Sequence, residues 1–309
     1  MAVVRKALLW ASTNVWVRER AMRTRFVRRS VSKFMPGERI EDALVAAKGL
    51  QPTGITAIFT RLGENLTRID EAAEVDDHYR HVLDLLAESD VDAQISIKPT
   101  QLGFDQDPEA CFRYCAGLLD RCDESNTFFW LDMEGSPYVD GTIALYRRLR
   151  ERSANVGIAI QTYLYRSEQD VEALIPLGAA IRLVKGAYME PASVAMPKKA
   201  DVDENFFKLS ARLLADDNAR PGSLLHIGTH DVPLQERIRQ VIAERQVSAD
   251  RYEMAMLFGI KSARQAELGR AGIGTRCLIS YGEHWFPWYM RRLAERPANM
   301  WFVARNMFS

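Results

Sequence analysis

The sequence of 309 residues predicts an α/β fold, in which eight parallel strands and their crossover helices close into a (βα)8 barrel. Eight short runs rich in β-branched and aromatic residues lie between residues 56 and 282, and a polar segment with helical periodicity follows each run. The length is close to the limit of a single core, and α/β barrels commonly reach it as one unit. We therefore expect a barrel domain over residues 56–309, preceded by a helical arm over residues 1–55.

The arm is expected to be helical and basic. Pro36 and Gly37 interrupt the chain before an amphipathic run, ERIEDALVAAKGL. Residues 1–33 hold nine Lys or Arg and one acid, Glu19, so the rest of this neutral chain carries a charge of about −8. The basic stretch is either a helical face that packs on the acidic body or a surface that attracts anionic lipid or a partner. Nucleic acid is not an expected partner, because interleaved exposed aromatic residues are missing from the basic run.

The barrel strands follow the arm in chain order. They are predicted at TAIFTRLGE, AQISIKPTQLG, TFFWLDMEG, VGIAIQTYLY, AAIRLVKGAY, SLLHIGTHD, RYEMAML and TRCLISYG. Residues 76–86 and 143–149 show apolar residues at helical spacing and are the clearest crossover helices. No fixed-period repeat and no Pro/Gly/Ser-rich linker divides the chain, which favours one barrel.

The composition indicates an ordered globular protein. Hydrophobic residues make up 47% of the chain, and 41 basic side chains balance 41 acidic ones, which excludes disordered and fibrous classes. No run of about 18 uncharged apolar residues occurs and the amino end lacks a cleavage site, so a cytoplasmic location is expected. The four cysteines do not form a disulfide framework or a zinc motif, so we expect reduced core thiols and no metal.

Most of the predicted strands pass into polar or ionisable residues at their carboxyl ends. Because all carboxyl ends of a parallel barrel lie on one face, these groups should converge around one mouth. Polar groups are costly inside a core unless they are paired, so a cluster of them favours a ligand site over structural ion pairs alone. The groups are Arg61, Glu64, Lys98, Gln101, Asp132, Glu134, Gln161, Tyr163, Arg182, Lys185, Thr229 and His230.

Familiar nucleotide and hydrolase motifs are missing from the sequence. It has no GxxxxGK[ST] and no GxSxG, and its one GxG precedes the last strand, so a Rossmann fold and Ser or Cys hydrolysis are disfavoured. His78 and His81 are expected on a solvated helix surface, although their spacing could hold a metal. His226 and His230 share one face of a strand segment; we expect His230 at the mouth and His226 in the core.

The carboxyl-terminal segment GEHWFPWYMRRLAERPANMWF suggests an anion site. Neighbouring helical residues point about 100° apart, so Arg291 and Arg292 can straddle a small anion, with Glu295 close to both. Guanidinium groups grip carboxylates in bidentate geometry. The alternative is a surface charge stripe in which an arginine pairs with Glu295.

These residues resemble the flavin-dependent proline dehydrogenases in their short form. The resemblance runs from about residue 26 to 309, and its matching blocks are ISIKPTQLG, WLDMEGS, IAIQTYLYRS, IRLVKGAYMEP, GTHD and WYMRRLAERPAN. It implies a distorted (βα)8 TIM-type barrel that binds FAD at the strand carboxyl ends. It also implies that the last helix lies over the barrel mouth and presents both arginines to the substrate carboxylate.

The resemblance assigns roles to individual residues. Asp132 and Arg182 correspond to the catalytic pair. The implied FAD contacts are Met133, Gln161, Arg182, Lys185, Gly186, Ala187, Thr229 and His230. The implied substrate pocket consists of Lys98, Tyr188, Leu257, Leu278, Arg291, Arg292 and Glu295.

Several positions depart from the family pattern. Met189 stands where a Trp is common, Ala255 replaces a Gln, and Asp231 replaces an Asn. Leu278 replaces a Tyr that lies near the substrate ring in the family, so tolerance for ring hydroxylation or ring size is open at this position. The arginine pair is intact, and an amino-acid carboxylate is the expected anchor.

The expected activity is oxidation of L-proline to Δ1-pyrroline-5-carboxylate by hydride transfer to FAD N5. The resemblance also implies that a membrane quinone reoxidises the flavin, and a pyrroline-5-carboxylate dehydrogenase would consume the product. The alternatives are a flavin enzyme for hydroxyproline or another cyclic secondary amino acid, and a flavin-free barrel that binds a carboxylate.

Overall fold

The fold is a closed barrel of eight parallel strands, each paired with its neighbours in chain order. The computed structural model describes residues 31–63, 66, 68, 70–286, 289 and 290. The strands are β1 Ile55–Arg61, β2 Ala93–Ile97, β3 Phe129–Leu131, β4 Val156–Gln161, β5 Ala180–Val184, β6 Leu224–Gly228, β7 Tyr252–Leu257 and β8 Thr275–Tyr281. β1 and β8 pair along seven residues from Ile55 and Thr275 to Arg61 and Tyr281, which closes the barrel.

Eight α-helices accompany the strands in the described part of the chain. They are α1 Ile40–Leu50, α2 Asp70–Ala87, α3 Pro108–Glu124, α4 Val139–Arg150, α5 Ser167–Leu174, α6 Lys199–Leu213, α7 Val232–Glu244 and α8 Ser262–Arg270. Local sequence fixes where several of them start. Asp107 and Asp231 accept backbone N–H groups as N-caps of α3 and α7, and a proline follows each cap in the first turn.

The helix before the barrel, α1, packs on the seam where the barrel closes. Ile40, Ala43 and Ala47 are its buried residues, and α1 contacts both β1 and β8. Upstream of α1, the chain passes close to the loop after β7, since a Cβ on Gly259 would lie 1.6 Å from the carbonyl oxygen of Lys33. Residues 33 and 34 are therefore packed against the body of the barrel.

The two faces of the strands have different compositions. Outward residues join the helices in one large apolar core, as expected for parallel strands buried on both sides. Inside the barrel, Ile58, Trp130 and Ala180 form a separate small cluster with Leu278 packed against it. Polar side chains, among them Gln94, Ser96, Arg182 and His226, occupy much of the remaining interior, whereas branched aliphatic residues usually fill such barrels. This polar interior provides the base of the candidate site.

The observed fold confirms the predicted barrel and all eight predicted strands. The two predicted helices are also confirmed and are longer than the periodic runs, at residues 70–87 and 139–150. All four cysteines are buried with free thiols. No helix in the described ranges is long and apolar enough to cross a membrane. Most of the predicted last helix, residues 287, 288 and 291–309, and residues 1–30 of the arm fall outside the described residues.

The prediction for His78 is wrong, because this residue is not on a solvated helix surface. Its Nε2 lies 2.8 Å from the hydroxyl of Tyr281, a residue 203 positions away in the sequence. Burial, with a smaller contribution from Arg61, lowers the pKa of His78 to about 4. His81, one turn along the same helix, is exposed as predicted.

Candidate active site

A cavity of about 420 Å³ opens at the carboxyl ends of the strands. Its walls come from all eight strands or the residues directly after them, so the barrel topology alone brings them together. The lining residues are Thr60, Leu62, Lys98, Asp132, Met133, Ala159, Gln161, Arg182, Val184, Lys185, Gly186, Ala187, Tyr188, Gly228, Thr229, His230, Ala255, Met256, Leu257, Leu278 and Ser280.

Every described residue to which the family resemblance assigned a role lies on this cavity. The set is Lys98, Asp132, Met133, Gln161, Arg182, Lys185, Gly186, Ala187, Tyr188, Thr229, His230, Leu257 and Leu278. The other three predicted residues, Arg291, Arg292 and Glu295, lie outside the described residues. The cavity is therefore a candidate active site, and the roles of its residues remain predictions.

Arg182 and Asp132 form a partly buried ion pair at the base of the cavity. Arg182 Nη1 lies 3.1 Å from Asp132 Oδ1, and the Ser96 hydroxyl joins them by donating to the same oxygen at 2.8 Å and accepting from Nη1 at 3.1 Å. Burial lowers the pKa of Arg182, although Asp132 partly offsets this effect. Nε and Nη2 of Arg182 have no hydrogen-bond partner among the described residues. This buried guanidinium therefore has N–H groups available for a ligand.

An aromatic and charged column supports Arg182 from below. The Trp130 ring lies under the guanidinium, with Cζ 4.5 Å from the ring centroid, and the His226 ring lies 4.2 Å from Trp130. The indole N–H of Trp130 donates to Gln94 at 2.7 Å. Gly157 makes room for the ring, because a Cβ there would lie 2.4 Å from it. The position of Arg182 is thus set by packing as well as by charge.

The column continues to the amino end of the barrel. His226 Nε2 lies 2.7 Å from Glu253 Oε2, and Arg276 bridges Glu253 at 2.9 Å and Asp92 at 2.7 Å. Burial lowers the pKa of His226 to about 4, so the ring is neutral at neutral pH. His226 is a core residue, as the sequence predicted, with 0% of its surface exposed.

Several polar residues that end strands hold loops and do not line the cavity. Glu134 accepts from the backbone N–H and the hydroxyl of Thr100, at 3.1 and 2.6 Å. Gln101 donates to the backbone carbonyl of Arg61 at 2.9 Å. The expectation that all described groups of this kind face the ligand is wrong for Arg61, Gln101, Glu134 and Tyr163. Glu64 lies outside the described residues.

Gln161 both holds a loop in place and lines the cavity. Its amide nitrogen donates to the carbonyl oxygens of Met133 at 3.1 Å and Glu134 at 2.8 Å, which ties β4 to the segment after β3. Its Oε1 is buried and has no partner among the described residues. Since both N–H groups are used, Gln161 offers an acceptor at the cavity wall.

Lys185 is paired with two carboxylates at the rim. Its Nζ lies 2.5 Å from Asp203 Oδ1 and 2.9 Å from Asp231 Oδ2. Burial would raise the pKa of Asp231, but Lys185 and Lys199 outweigh it and hold this pKa at about 2. Lys185, which the resemblance implies as an FAD contact, therefore lies within a compensated charge cluster.

The chain is tightly packed where β5 leads into the cavity wall. Gly186 has a φ of +115°, and a Cβ there would lie 2.3 Å from the Tyr163 ring. On the neighbouring strand, a Cβ on Gly228 would lie 2.4 Å from the carbonyl oxygen of Leu183. Packing against neighbouring protein atoms therefore requires glycine at both positions, and both glycines also line the cavity.

His230, which also lines the cavity, makes a hydrogen bond that joins two neighbouring strand ends. Its Nε2 accepts from the backbone N–H of Leu257 at 2.9 Å, which joins the segment after β6 to the end of β7. Because Nε2 is the acceptor, a neutral His230 carries its proton on Nδ1.

Eight residues that line the cavity and three that support them were not predicted from the sequence. The missed lining residues are Thr60, Leu62, Ala159, Val184, Gly228, Ala255, Met256 and Ser280. The missed supports are Ser96, Trp130 and Asp203. Alternation along β2 and β3 could have indicated Ser96 and Trp130, since each lies two residues before a predicted site residue and so shares its face.

Comparisons with known proteins agree with the resemblance in the sequence. The family model for proline dehydrogenase matches residues 43–305. Proline dehydrogenase 1 of Bacillus subtilis (strain 168) is 33% identical over 275 residues, which is 89% of each chain. Proline dehydrogenase 2 of Bacillus subtilis subsp. natto is 30% identical over 307 residues, or 99% of each chain. Proline dehydrogenase of Deinococcus radiodurans is 32% identical over 280 residues, or 89% of each.

Solved structures support the fold independently. Proline utilization A from Bdellovibrio bacteriovorus, in a form inactivated by N-propargylglycine, superposes with a TM-score of 0.79 at 21% identity. The match covers 86% of this chain and 32% of that protein, so this chain spans about a third of its length. Proline utilization A from Bradyrhizobium japonicum gives a TM-score of 0.71 over 91% of this chain and 32% of its own. From the family model and the curated relatives, we conclude that the chain belongs to the proline dehydrogenase family.

Proposed function

We propose that this chain oxidises L-proline to Δ1-pyrroline-5-carboxylate with FAD as its bound flavin. The observation that carries the proposal is the convergence of Lys98, Asp132 and Arg182 in one cavity of a proline dehydrogenase fold. The relatives named proline dehydrogenase align over most of this chain, which supports the same substrate. FAD, when bound, supplies an acceptor for the hydride that leaves the ring carbon next to nitrogen.

The residues present fit a flavin. The N–H groups of Arg182 and the carbonyl of Gln161 are buried polar groups that lack partners among the described residues and lie on the cavity. Gly186 and Gly228 also line the cavity and carry no side chain. A flavin ring presents both acceptors and a donor along its edge and needs a narrow, flat space. We assign its contacts to Met133, Gln161, Arg182, Lys185, Gly186, Ala187, Thr229 and His230.

Arg182 and Asp132 are the proposed catalytic pair. The guanidinium donates toward the cofactor and favours electron density there, while Asp132 and Ser96 fix its orientation. The desolvated position strengthens this effect, because charges interact more strongly where water is excluded. The amine proton of proline is expected to leave to water.

The substrate pocket is proposed to anchor the carboxylate of proline. Lys98 supplies a cation on the cavity wall, and Tyr188, Leu257 and Leu278 surround the ring. We propose that Arg291, Arg292 and Glu295, which lie outside the described residues, complete the anchor, as the family resemblance implies. Holding the ring in a productive pose can lower the barrier by several kcal/mol.

We further propose a quinone as electron acceptor and a cytoplasmic location. In this proposal the basic stretch of residues 1–33, within the arm of residues 1–55, is in peripheral contact with an anionic membrane. The barrel of residues 56–309 would then reduce quinone at the membrane surface and release product to a pyrroline-5-carboxylate dehydrogenase. Co-sedimentation with anionic liposomes, with and without residues 1–33, tests the contact. Equal binding of the two forms would exclude a role for the arm.

Leu278 supports a second candidate substrate, hydroxyproline or another cyclic secondary amino acid. It lines the cavity with an apolar side chain and has no hydroxyl. A ratio of kcat/KM for L-proline to that for 4-hydroxyproline above about 10 would favour proline.

The test of the proposed function begins with the colour of the purified protein. We expect flavin absorbance, and the cofactor released by denaturation should be FAD. Dye-linked turnover with L-proline should yield the cyclic imine. A protein that stays colourless after FAD is added would instead support a flavin-free barrel that binds a carboxylate.

A further inference from the structure

Four charged side chains form a closed cluster at one edge of the cavity. Lys185 contacts Asp203 and Asp231, and Lys199 contacts the same two carboxylates. Two ammonium groups and two carboxylates give the cluster no net formal charge. Only about a quarter of the surface of Lys185, Asp203 and Asp231 is exposed, so solvent screens their contacts less than those of open surface pairs.

Three elements hold this cluster in place. Lys185 directly follows β5, Asp203 lies in α6, and Asp231 is the N-cap of α7. The two carboxylate oxygens of Asp231 have different partners. Oδ1 accepts from the backbone N–H of Leu234 at 3.4 Å, and Oδ2 contacts Lys185 at 2.9 Å. The helix start therefore fixes the direction in which this carboxylate faces Lys185.

The same lysine lines the cavity that we assign to the flavin. An uncompensated ammonium at this position would attract the electron density that a flavin gains on reduction, and would also attract the diphosphate of FAD. Two carboxylates in contact with the ammonium reduce both effects. Lys185 can still donate one more hydrogen bond, because its ammonium has three N–H groups and two of them face carboxylates.

We infer that Asp203 and Asp231 are positioning residues for Lys185, which hold its ammonium at the cavity rim and compensate its charge. Lys185 then serves the cofactor as an oriented hydrogen-bond donor and not as a net positive charge. This inference rests on the proposed function, because it takes FAD as the ligand of this rim.

The central test is the midpoint potential of the bound flavin in Asp231→Asn. Asn caps a helix about as well as Asp, so this change removes a charge and keeps the cap. We expect the potential to become more positive and the Kd for FAD to fall. Asp203→Asn, which removes the other carboxylate and affects no cap, should shift both quantities in the same direction.

Two further variants isolate the cause. Glu204→Gln makes the same charge change one residue from Asp203, but Glu204 is exposed and pairs with Arg237 at 2.6 Å. This control should leave the potential and the Kd at their wild-type values. In a Lys185→Met background, Asp231→Asn should have much less effect, because the carboxylate acts through the lysine.

The outcomes separate this inference from the proposed function. If wild-type protein binds FAD and proline reduces it, but both Asp→Asn variants keep the wild-type potential and Kd, the cluster is structural and the inference is wrong. An equal shift with Lys185→Met already present would also overturn it. A wild-type protein that binds no FAD would overturn both the inference and the proposed function.

Discussion

At the scale of single residues, Arg182 connects the barrel interior to the proposed chemistry. The residue is 3% exposed, and its guanidinium contacts Asp132 and Ser96 and lies over the Trp130 ring. A buried cation is costly unless it is paired and hydrogen-bonded, and two of its nitrogens lack partners among the described residues. The account therefore requires that a ligand supply the missing acceptors.

Arg182→Lys should lower the rate of flavin reduction by proline about 10²- to 10³-fold. A lysine has no planar fork, so it cannot contact Asp132 and a ligand in the same way, and loss of one oriented donor has an effect of this size. Rapid-mixing absorbance measurements under anaerobic conditions give the rate. Arg237→Lys, the same change at an exposed position on α7, should leave the rate unchanged. An equal rate for Arg182→Lys would exclude the proposed role.

His226 should make stability depend on pH. Its folded pKa of about 4 lies below the unfolded value of 6.5, so the unfolded chain binds more protons between these limits. The free energy of unfolding should therefore fall as pH drops from about 6.5 to about 4, by up to about 3 kcal/mol from this residue. Below about pH 4, this contribution should stop changing.

Denaturant unfolding at a series of pH values measures the effect. His226→Gln should flatten the curve over that window, whereas His81→Gln, at an exposed position, should leave its shape unchanged. His78, whose pKa is also about 4, should retain part of the slope in the first variant. An unchanged slope in His226→Gln would show that this residue does not titrate as the structure indicates.

At the scale of elements, the strands could be predicted from the sequence, but the side-chain contacts between different elements could not. Each strand is an apolar run bounded by polar residues, and a parallel barrel turns every carboxyl end to one face. That reasoning located Lys98, Asp132 and Arg182 on the cavity. It could not pair Lys185 with Asp203, because the contact depends on how α6 packs after a loop. It also could not pair His78 with Tyr281, since the barrel closure joins them.

Gly186 tests the wall between β5 and the cavity. An alanine there would adopt an unfavourable φ of +115° and bring its Cβ to 2.3 Å from the Tyr163 ring. Gly186→Ala should lower the free energy of unfolding by about 1 to 3 kcal/mol and weaken FAD binding. The matched control is Gly49→Ala in α1, where a Cβ meets nothing within 4 Å and should stabilise the helix by up to about 1 kcal/mol. Normal stability and FAD content in Gly186→Ala would mean that the wall adjusts freely.

At the scale of the whole molecule, the barrel separates a supporting half from a ligand-binding half. The charged column from Asp92 and Arg276 up to His226 lies in the amino half. The cavity lies in the carboxyl half. The contacts of His226 with Glu253 and of Arg276 with Asp92 were not predictable from the sequence, because strand alternation indicates which face a residue shares and not which side chain it meets. The family resemblance supplied the roles that composition alone does not give.

The central claim is that this cavity holds a flavin next to proline, and anaerobic titration tests it directly. We expect L-proline to bleach the visible absorbance of the flavin in purified protein, with formation of the cyclic imine in equal amount. Dithionite provides the reference for complete reduction. A bound flavin that dithionite reduces but that keeps its absorbance with saturating L-proline would contradict the account.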